Sequence, residues 1–260
     1  MRRRLTPEAK DKIWGTPHTE PWYRNPEGRN IGEIWFPASD SVPLLVKLLF
    51  TSDNLSVQVH PDNEYARMHH NSRGKTEMWH ILRAEPAAKI ALGVREKLTR
   101  EQLREASLSG EIMHLLDWIP VQPGDTFFVP AGTIHAIGGG IALCEIQQHS
   151  DVTYRLYDYG RPRELHLDHG VAVSHLEPGE GMVKRELLVE CGHFCTRRLT
   201  VKGSWTSSPG RRHTLYIAIE GEGSFAGEPF RAGDAFEIAA GAEPFEISSP
   251  HAVFVTTSEP

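Results

Sequence analysis

Residues 124–140 read GDTFFVPAGTIHAIGGG. Gly124 and Asp125 suit a tight turn, Thr126 to Val129 is a short β-rich run, and Pro130-Ala131-Gly132 turns the chain again before His135. From 233 the text recurs approximately as GDAFEIAAGAEPFEI, with Gly233, Asp234, Phe236 and Gly241 each 109 positions after Gly124, Asp125, Phe127 and Gly132. A fixed offset with matching turn residues implies duplication of one β unit. The second copy has Pro244 where His135 would fall, so it lacks that residue's chemistry. The 23 glycines and 18 prolines are spread between short apolar runs, a pattern that predicts an all-β chain of many short strands. The expected organisation is a site-bearing β domain over 1–175 and a degenerate copy over 185–260. The segment His175 to Val183, containing HLEPGEG, joins them.

Helical signals are few. The clearest spans Leu98 to Trp118, where Thr99 is a candidate N-cap, Gln102 stands three residues on, and Leu98 can pack onto Leu103. A shorter helix is predicted from Thr6-Pro7-Glu8, with proline at the first helical position.

Composition excludes several function classes. A net charge of -6 gives no general electrostatic reason to expect nucleic acid. No stretch reaches the roughly 20 apolar residues that cross a bilayer, and no apolar core follows the basic MRRRL start. The cysteines, Cys144, Cys191 and Cys195, form neither a CxxC pair nor an even framework. A reduced, cytoplasmic protein is expected, as monomer or homodimer.

Upstream of the opening stretch lies DNLSVQVHPDNEYA at 53–66. Alternation over Leu55 to His60 points Gln58 and His60 to one face of a strand and Val57 and Val59 to the other. Polar side chains facing a β interior are costly unless something pairs with them. In GKTEMWHIL at 74–82, Glu77, Trp79 and Ile81 share one face. Imidazole, carboxylate and amide oxygen from Gln58, His60, Glu77 and His135 together suit one zinc ion with open positions for water or substrate. The histidines at 69, 70, 80, 114, 149, 166, 169 and 175 lack such context and are read as non-ligands.

The spacing at Gly124, Pro130, Gly132 and His135 resembles the second motif of cupins, small antiparallel barrels that hold a metal inside. More widely, IWGT at 13–16, IGEIWF at 31–36, PLLVKLLF at 43–50, LSVQVHPDNEYA at 55–66, GKTEMWHIL at 74–82 and VPAGTIHAIGGGIALCEIQQHSDVTYRLYDYGR at 129–161 resemble the type I phosphomannose isomerases in their short bacterial form. PRELH at 162–166 extends the likeness. The resemblance implies two cupin-type barrels, the second degenerate, and zinc ligands at Gln58, His60, Glu77 and His135. It implies catalytic roles for Arg155, Lys75 and Glu145 and carries Asp151 as a matching position. Longer members have a histidine just before the lysine. Gly74 stands there in this chain, so no role of that histidine transfers.

The implied reaction interconverts mannose 6-phosphate and fructose 6-phosphate. Moving a proton between C1 and C2 needs a positioned base and stabilisation of an enediolate. Glu145 or Lys75 can shuttle the proton, while Arg155, Arg161 and Lys75 are the candidate cations for phosphate. Two alternatives stand beside it. One is another metal-dependent cupin enzyme, a dioxygenase or decarboxylase, although those present an H-x-H pair where this chain has Gln58. The other is a non-catalytic sugar-phosphate binder.

Overall fold

The computed structural model describes residues 1–179, 183–184 and 188–260. Residues 180–182 of the expected connector and 185–187 at the expected start of the second domain lie outside the described residues.

Strand alternation sets how the layers stack. In Leu44–Phe50, residues Leu44, Val46, Leu48 and Phe50 face one side, whereas Lys47 and Leu49 face the other. This strand lies in a central antiparallel sheet ordered Val183–Lys184, Thr126–Val129, Glu77–Ala84, Ile141–Gln148, Leu44–Phe50, Ile31–Phe36, Glu8–Thr16. The middle strands of the central sheet are covered on both faces, so Leu44–Phe50 reads as a nearly unbroken apolar run and Ile141–Gln148 is buried along its whole length.

On one side it packs against an outer sheet ordered Tyr154–Tyr157, Val57–Val59, His135–Ile137, Lys89–Val94, Leu116–Pro120. Trp79, Ile81, Phe127 and Leu143 of the central sheet meet Ile90, Leu92 and Ile137 of the outer sheet in that layer. The far face of the outer sheet is roofed by helices: Leu103, Ala106, Ile112 and Val171 pack on Val57, Val59, Ala136 and Leu156. On its other side the central sheet meets a C-terminal sheet ordered Arg2–Arg4, Ala235–Ile238, Thr214–Phe225, Glu246–Ser258, Cys195–Thr206, Leu188–Glu190, with Glu228–Arg231 hairpinned onto Thr214–Phe225. Leu215, Ile217, Val253 and Val255 close that interface. The first strand therefore belongs to the C-terminal sheet. The architecture is the expected all-β, cupin-type one. Among the described residues, no helix is long and apolar enough to cross a membrane.

Local expectations met mixed outcomes. Thr99 caps the helix Arg100–Ser109 in a full capping box with Gln102, as its spacing predicts. That helix stops at Gly110, whose left-handed φ of 86° terminates it, and Leu116–Pro120 is a strand rather than a continuation to Trp118. The helix predicted from Thr6-Pro7-Glu8 is absent. Glu8 opens the strand Glu8–Thr16, which pairs with Ile31–Phe36, and tertiary pairing overrides the local proline signal. Helix Asn63–His70, capped by the Asp62 carboxylate accepting from the Tyr65 amide at 2.8 Å, begins inside the stretch read only as a motif and runs four residues past its end.

The repeated turn is the same in both copies. Asp125 accepts from the Gln122 amide and Asp234 from the Arg231 amide, at 3.0 and 2.9 Å. Gly124 and Gly233 take φ of 94° and 95°. Their surroundings differ: a Cβ on Gly124 meets nothing within 4 Å, whereas one on Gly233 would fall 1.7 Å from the Trp22 carbonyl oxygen. Gly124→Ala is expected to cost only the left-handed backbone, about 1–2 kcal/mol. Gly233→Ala adds a collision with backbone and is expected to cost roughly 3 kcal/mol or more. Urea denaturation of the two variants measures the difference.

Candidate metal centre and cavity

Pairing register assembles the site from two facing rows. Across the outer sheet, Arg155 lies opposite Gln58, and Gln58 opposite His135. Across the central sheet, Trp35, Lys47, Glu145 and Trp79 form one continuous row, with Glu77 two residues before Trp79 on the same face. Facing sheets bring side chains of this length into contact.

His60, Glu77 and His135 meet in the centre, all buried, with ligand-type atoms within 4.8 Å of one another. Glu77 Oε2 is 3.5 Å from His60 Nε2, and Glu77 Oε1 is 3.5 Å from His135 Nε2. Each imidazole is oriented from behind: His60 Nδ1 donates to the Val152 carbonyl at 3.1 Å and His135 Nδ1 to the Thr133 carbonyl at 2.9 Å. Both Nε2 lone pairs thus face inward, the tautomer a metal-ligating histidine needs. The Gln58 amide lies 3.3 Å from His135 Nε2, and turning the amide over presents its oxygen to the same point. Lys75 Nζ sits among these groups, 3.0 Å from both His60 Nε2 and Glu77 Oε2.

Titration behaviour matches that geometry. Burial above all pulls His135 down to about 4 and holds His60 well below its ordinary value, so both rings are neutral. Burial likewise lifts Glu77 to about 7, against the pull of Lys75. Glu77 Oε2 accepts no well-aligned hydrogen bond despite the nearby ammonium. Two neutral imidazoles, an under-satisfied carboxylate and an ammonium held at their common point fit one divalent ion of the zinc type.

Beside this centre Glu145 is held from both ends. Lys47 Nζ contacts one oxygen at 3.1 Å, and Trp79 donates its indole N–H to the other at 3.2 Å. Burial acts to raise Glu145, but Lys47 and Lys75 outweigh it and keep the carboxyl below its ordinary value. Burial opposes the charge of Lys75, and Glu77 and Glu145 outweigh that too, so its ammonium persists.

These groups open onto a cavity of about 290 Å³. Gln58, Lys75, Glu145, Asp151 and Arg155 all line it, so the structure brings these sequence-predicted residues together. Arg161 is not among the lining residues; its guanidinium is spent on Asp53, Asp158 and the Asn54 carbonyl. Arg163 lines the wall instead, with Lys12, Glu33, Trp35 and Lys47, none of them singled out from sequence. Lys47 carried a usable signal: it is the one charge in the otherwise apolar run LLVKLLF. Gly74 has a steric reason, since a Cβ there would fall 2.5 Å from the Asp62 carbonyl carbon. Its amide also donates to Asn63 Oδ1 at 2.9 Å, so no histidine side chain fits in that turn.

Comparison with known proteins agrees with this geometry. Residues 27–92 match the family model for the phosphomannose isomerase type I catalytic domain. The chain is 41% identical over 216 residues to the mannose-6-phosphate isomerase ManA of Bacillus subtilis, covering 75% of this chain and 68% of that protein. The chain belongs to the type I phosphomannose isomerase family. A second member, the mannose-6-phosphate isomerase of Streptococcus mutans, is 48% identical over 207 residues, 74% of this chain and 65% of that protein. The crystal structure of the Bacillus subtilis mannose 6-phosphate isomerase superposes with a TM-score of 0.86 at 27% identity, covering 98% of each chain. A zinc-bound mannose 6-phosphate isomerase shares the fold at a TM-score of 0.77 and 15% identity, with 99% of each chain covered.

His60→Ala removes an inward-facing imidazole from the cluster. It is expected to lower zinc affinity by about 100-fold, in line with the cost of disturbing such sites. Equilibrium dialysis followed by elemental analysis reads that loss, while circular dichroism checks that the sheets persist.

Proposed function

We propose that this chain is a zinc-dependent mannose-6-phosphate isomerase, with the metal held by Gln58, His60, Glu77 and His135. The carrying observation is that Glu145 and Lys75 both line the cavity that adjoins the His60–Glu77–His135 cluster. An ion held by these residues would supply Lewis acidity, contributing several kcal/mol of charge stabilisation.

The chain's own residues do the rest. Glu145, kept ionised by Lys47 and Lys75, accepts and returns the proton that moves between C1 and C2. Lys75, kept protonated, donates hydrogen bonds toward the sugar oxygens and balances charge developing on them. Arg155, whose guanidinium cannot serve as a base at neutral pH, holds an anionic oxygen at the wall. Asp151 accepts from sugar hydroxyls at the same wall. Arg163, rather than Arg161, partners Arg155 on the phosphate, because Arg161 is already engaged by two carboxylates. The indoles of Trp14 and Trp35 give the sugar's C–H faces an apolar wall.

Every one of these residues falls within 1–175, so that part is assigned the chemistry. The degenerate copy at 185–260 is assigned the packing of the central sheet's far face. A cytoplasmic setting is part of the same reading, and the three free cysteines support it. A dioxygenase or decarboxylase is disfavoured by the amide at Gln58.

Zinc-loaded protein is expected to convert mannose 6-phosphate to fructose 6-phosphate, to lose that activity on chelation and to regain it when zinc returns. Chelated protein that turns over at the full rate refutes the metal role. Arg163→Gln is expected to raise KM about tenfold, the size of one lost charge-assisted contact. Arg161→Gln is expected to change KM far less.

A further inference from the structure

Residues 155–163, running from the strand Tyr154–Tyr157 into the segment after it, carry three arginines, Arg155, Arg161 and Arg163. Between them the chain makes a tight turn. Tyr159 and Gly160 take φ of 57° and 75°, and the Arg161 amide donates to the Asp158 carbonyl at 3.0 Å. That turn folds the following arginines back beside Asp158, which is only 2% exposed. Arg163 reaches its carboxylate as a fork, Nε to Oδ2 and Nη2 to Oδ1, each at 2.5 Å. Arg161 Nη1 approaches Oδ1 at 3.4 Å and Arg155 Nε approaches Oδ2 at 3.9 Å. Three guanidiniums converge on one buried carboxylate.

Their outer contacts differ. Arg161 is also tied to Asp53 and to the Asn54 carbonyl, away from the cavity. Arg155 gives Nη1 to the Glu164 carbonyl at 2.7 Å, and its Nε has no aligned acceptor. Arg155 and Arg163 are the two that line the cavity. Guanidiniums this close repel one another, and burial first, then Arg163, pushes Arg155 below its ordinary value. A carboxylate fork fixes the plane and reach of a guanidinium, which a single charge on a flexible stem does not.

We propose that Asp158 is a positioning residue: it gathers Arg155 and Arg163 into a preset anion clamp at the cavity wall, while Arg161 braces the turn from outside. This rests on assigning a sugar phosphate to the cavity, and it assigns the substrate's phosphate to those two arginines. Asp158 itself does not touch the substrate.

The proposal has a sign that simple charge counting does not share. Asp158→Asn removes a negative charge beside an anion site, so Coulomb attraction alone predicts tighter phosphate binding. Loss of the clamp's anchor predicts weaker binding. Inorganic phosphate is titrated calorimetrically into the zinc-loaded wild type, D158N, R163Q and the double variant, and KM and kcat are measured with mannose 6-phosphate. D158N is expected to weaken phosphate binding about tenfold or more and to raise KM alike, with kcat within about twofold, as for misplacement of a binding group. On the R163Q background the same change is expected to add less than about twofold, because the two residues act as one unit. Asp158→Glu, which keeps the carboxylate, is expected to recover most phosphate binding even where the melting temperature falls, and it carries the test if D158N does not fold.

Equal or tighter phosphate binding by D158N, additive losses in the double variant, or a fall in kcat with KM unchanged overturns the positioning role. Wild type that binds no inorganic phosphate overturns it too. Wild type that binds phosphate with the expected variant pattern, yet does not isomerise mannose 6-phosphate, removes the enzymatic assignment and leaves the clamp standing.

Discussion

Four ionisable side chains, Lys47, Lys75, Glu77 and Glu145, lie buried between two β layers, and everything near them is arranged so that none stands alone. Isolated charges in such a place cost several kcal/mol each, and they persist only where opposite charges and hydrogen bonds surround them. Lys47 answers Glu145 and Lys75 answers Glu77, with Gln147 accepting from Lys47 and Trp79 donating to Glu145. The pairing before any ion arrives is two bases against two acids, with Glu77 lifted to about 7 and so shared between its charged and neutral forms. A divalent cation disturbs it, and Lys75, which contacts the same two atoms an ion would need, is the group with most reason to move. Site chemistry and fold stability are thus coupled through the same few contacts.

That coupling explains the layered build. The C-terminal sheet covers the central sheet's far face, so the inward row meets water from the cavity side. The outer sheet closes the first face, and its own back is sealed by helices. The C-terminal sheet thereby has a clear physical use: it keeps Leu44, Val46, Leu48 and Phe50 out of water, so that Lys47 on the same strand is held at its register.

Much of this was legible in the sequence, for identifiable reasons. Strand alternation and turn glycines are local, so the β class, the repeated GD turn and the inward faces of Gln58, His60 and Glu77 could be read directly. The Thr99 capping box is also local, and it holds. What failed depended on partners far along the chain. Pro7 looks like a helix start until Ile31–Phe36 claims the neighbouring residues as a strand. Arg161 and Arg163 are equivalent on paper, and only the turn at Tyr159–Gly160 decides that one faces Asp53 and the other the cavity. Lys12, Glu33 and Lys47 enter the cavity because their strands sit beside others in the sheet, which spacing along one strand does not reveal.

The pairing of Arg2–Arg4 with Ala235–Ile238 has a bearing on biosynthesis. The strand Arg2–Arg4 has its partner more than two hundred residues downstream. Contacts so distant in sequence form late and slowly. The Arg-Arg-Arg side chains keep that waiting segment well solvated until Glu237 and Asp234 arrive to meet Arg3 and Arg4. Translation through Ala235–Ile238 is therefore what lets Arg2–Arg4 settle.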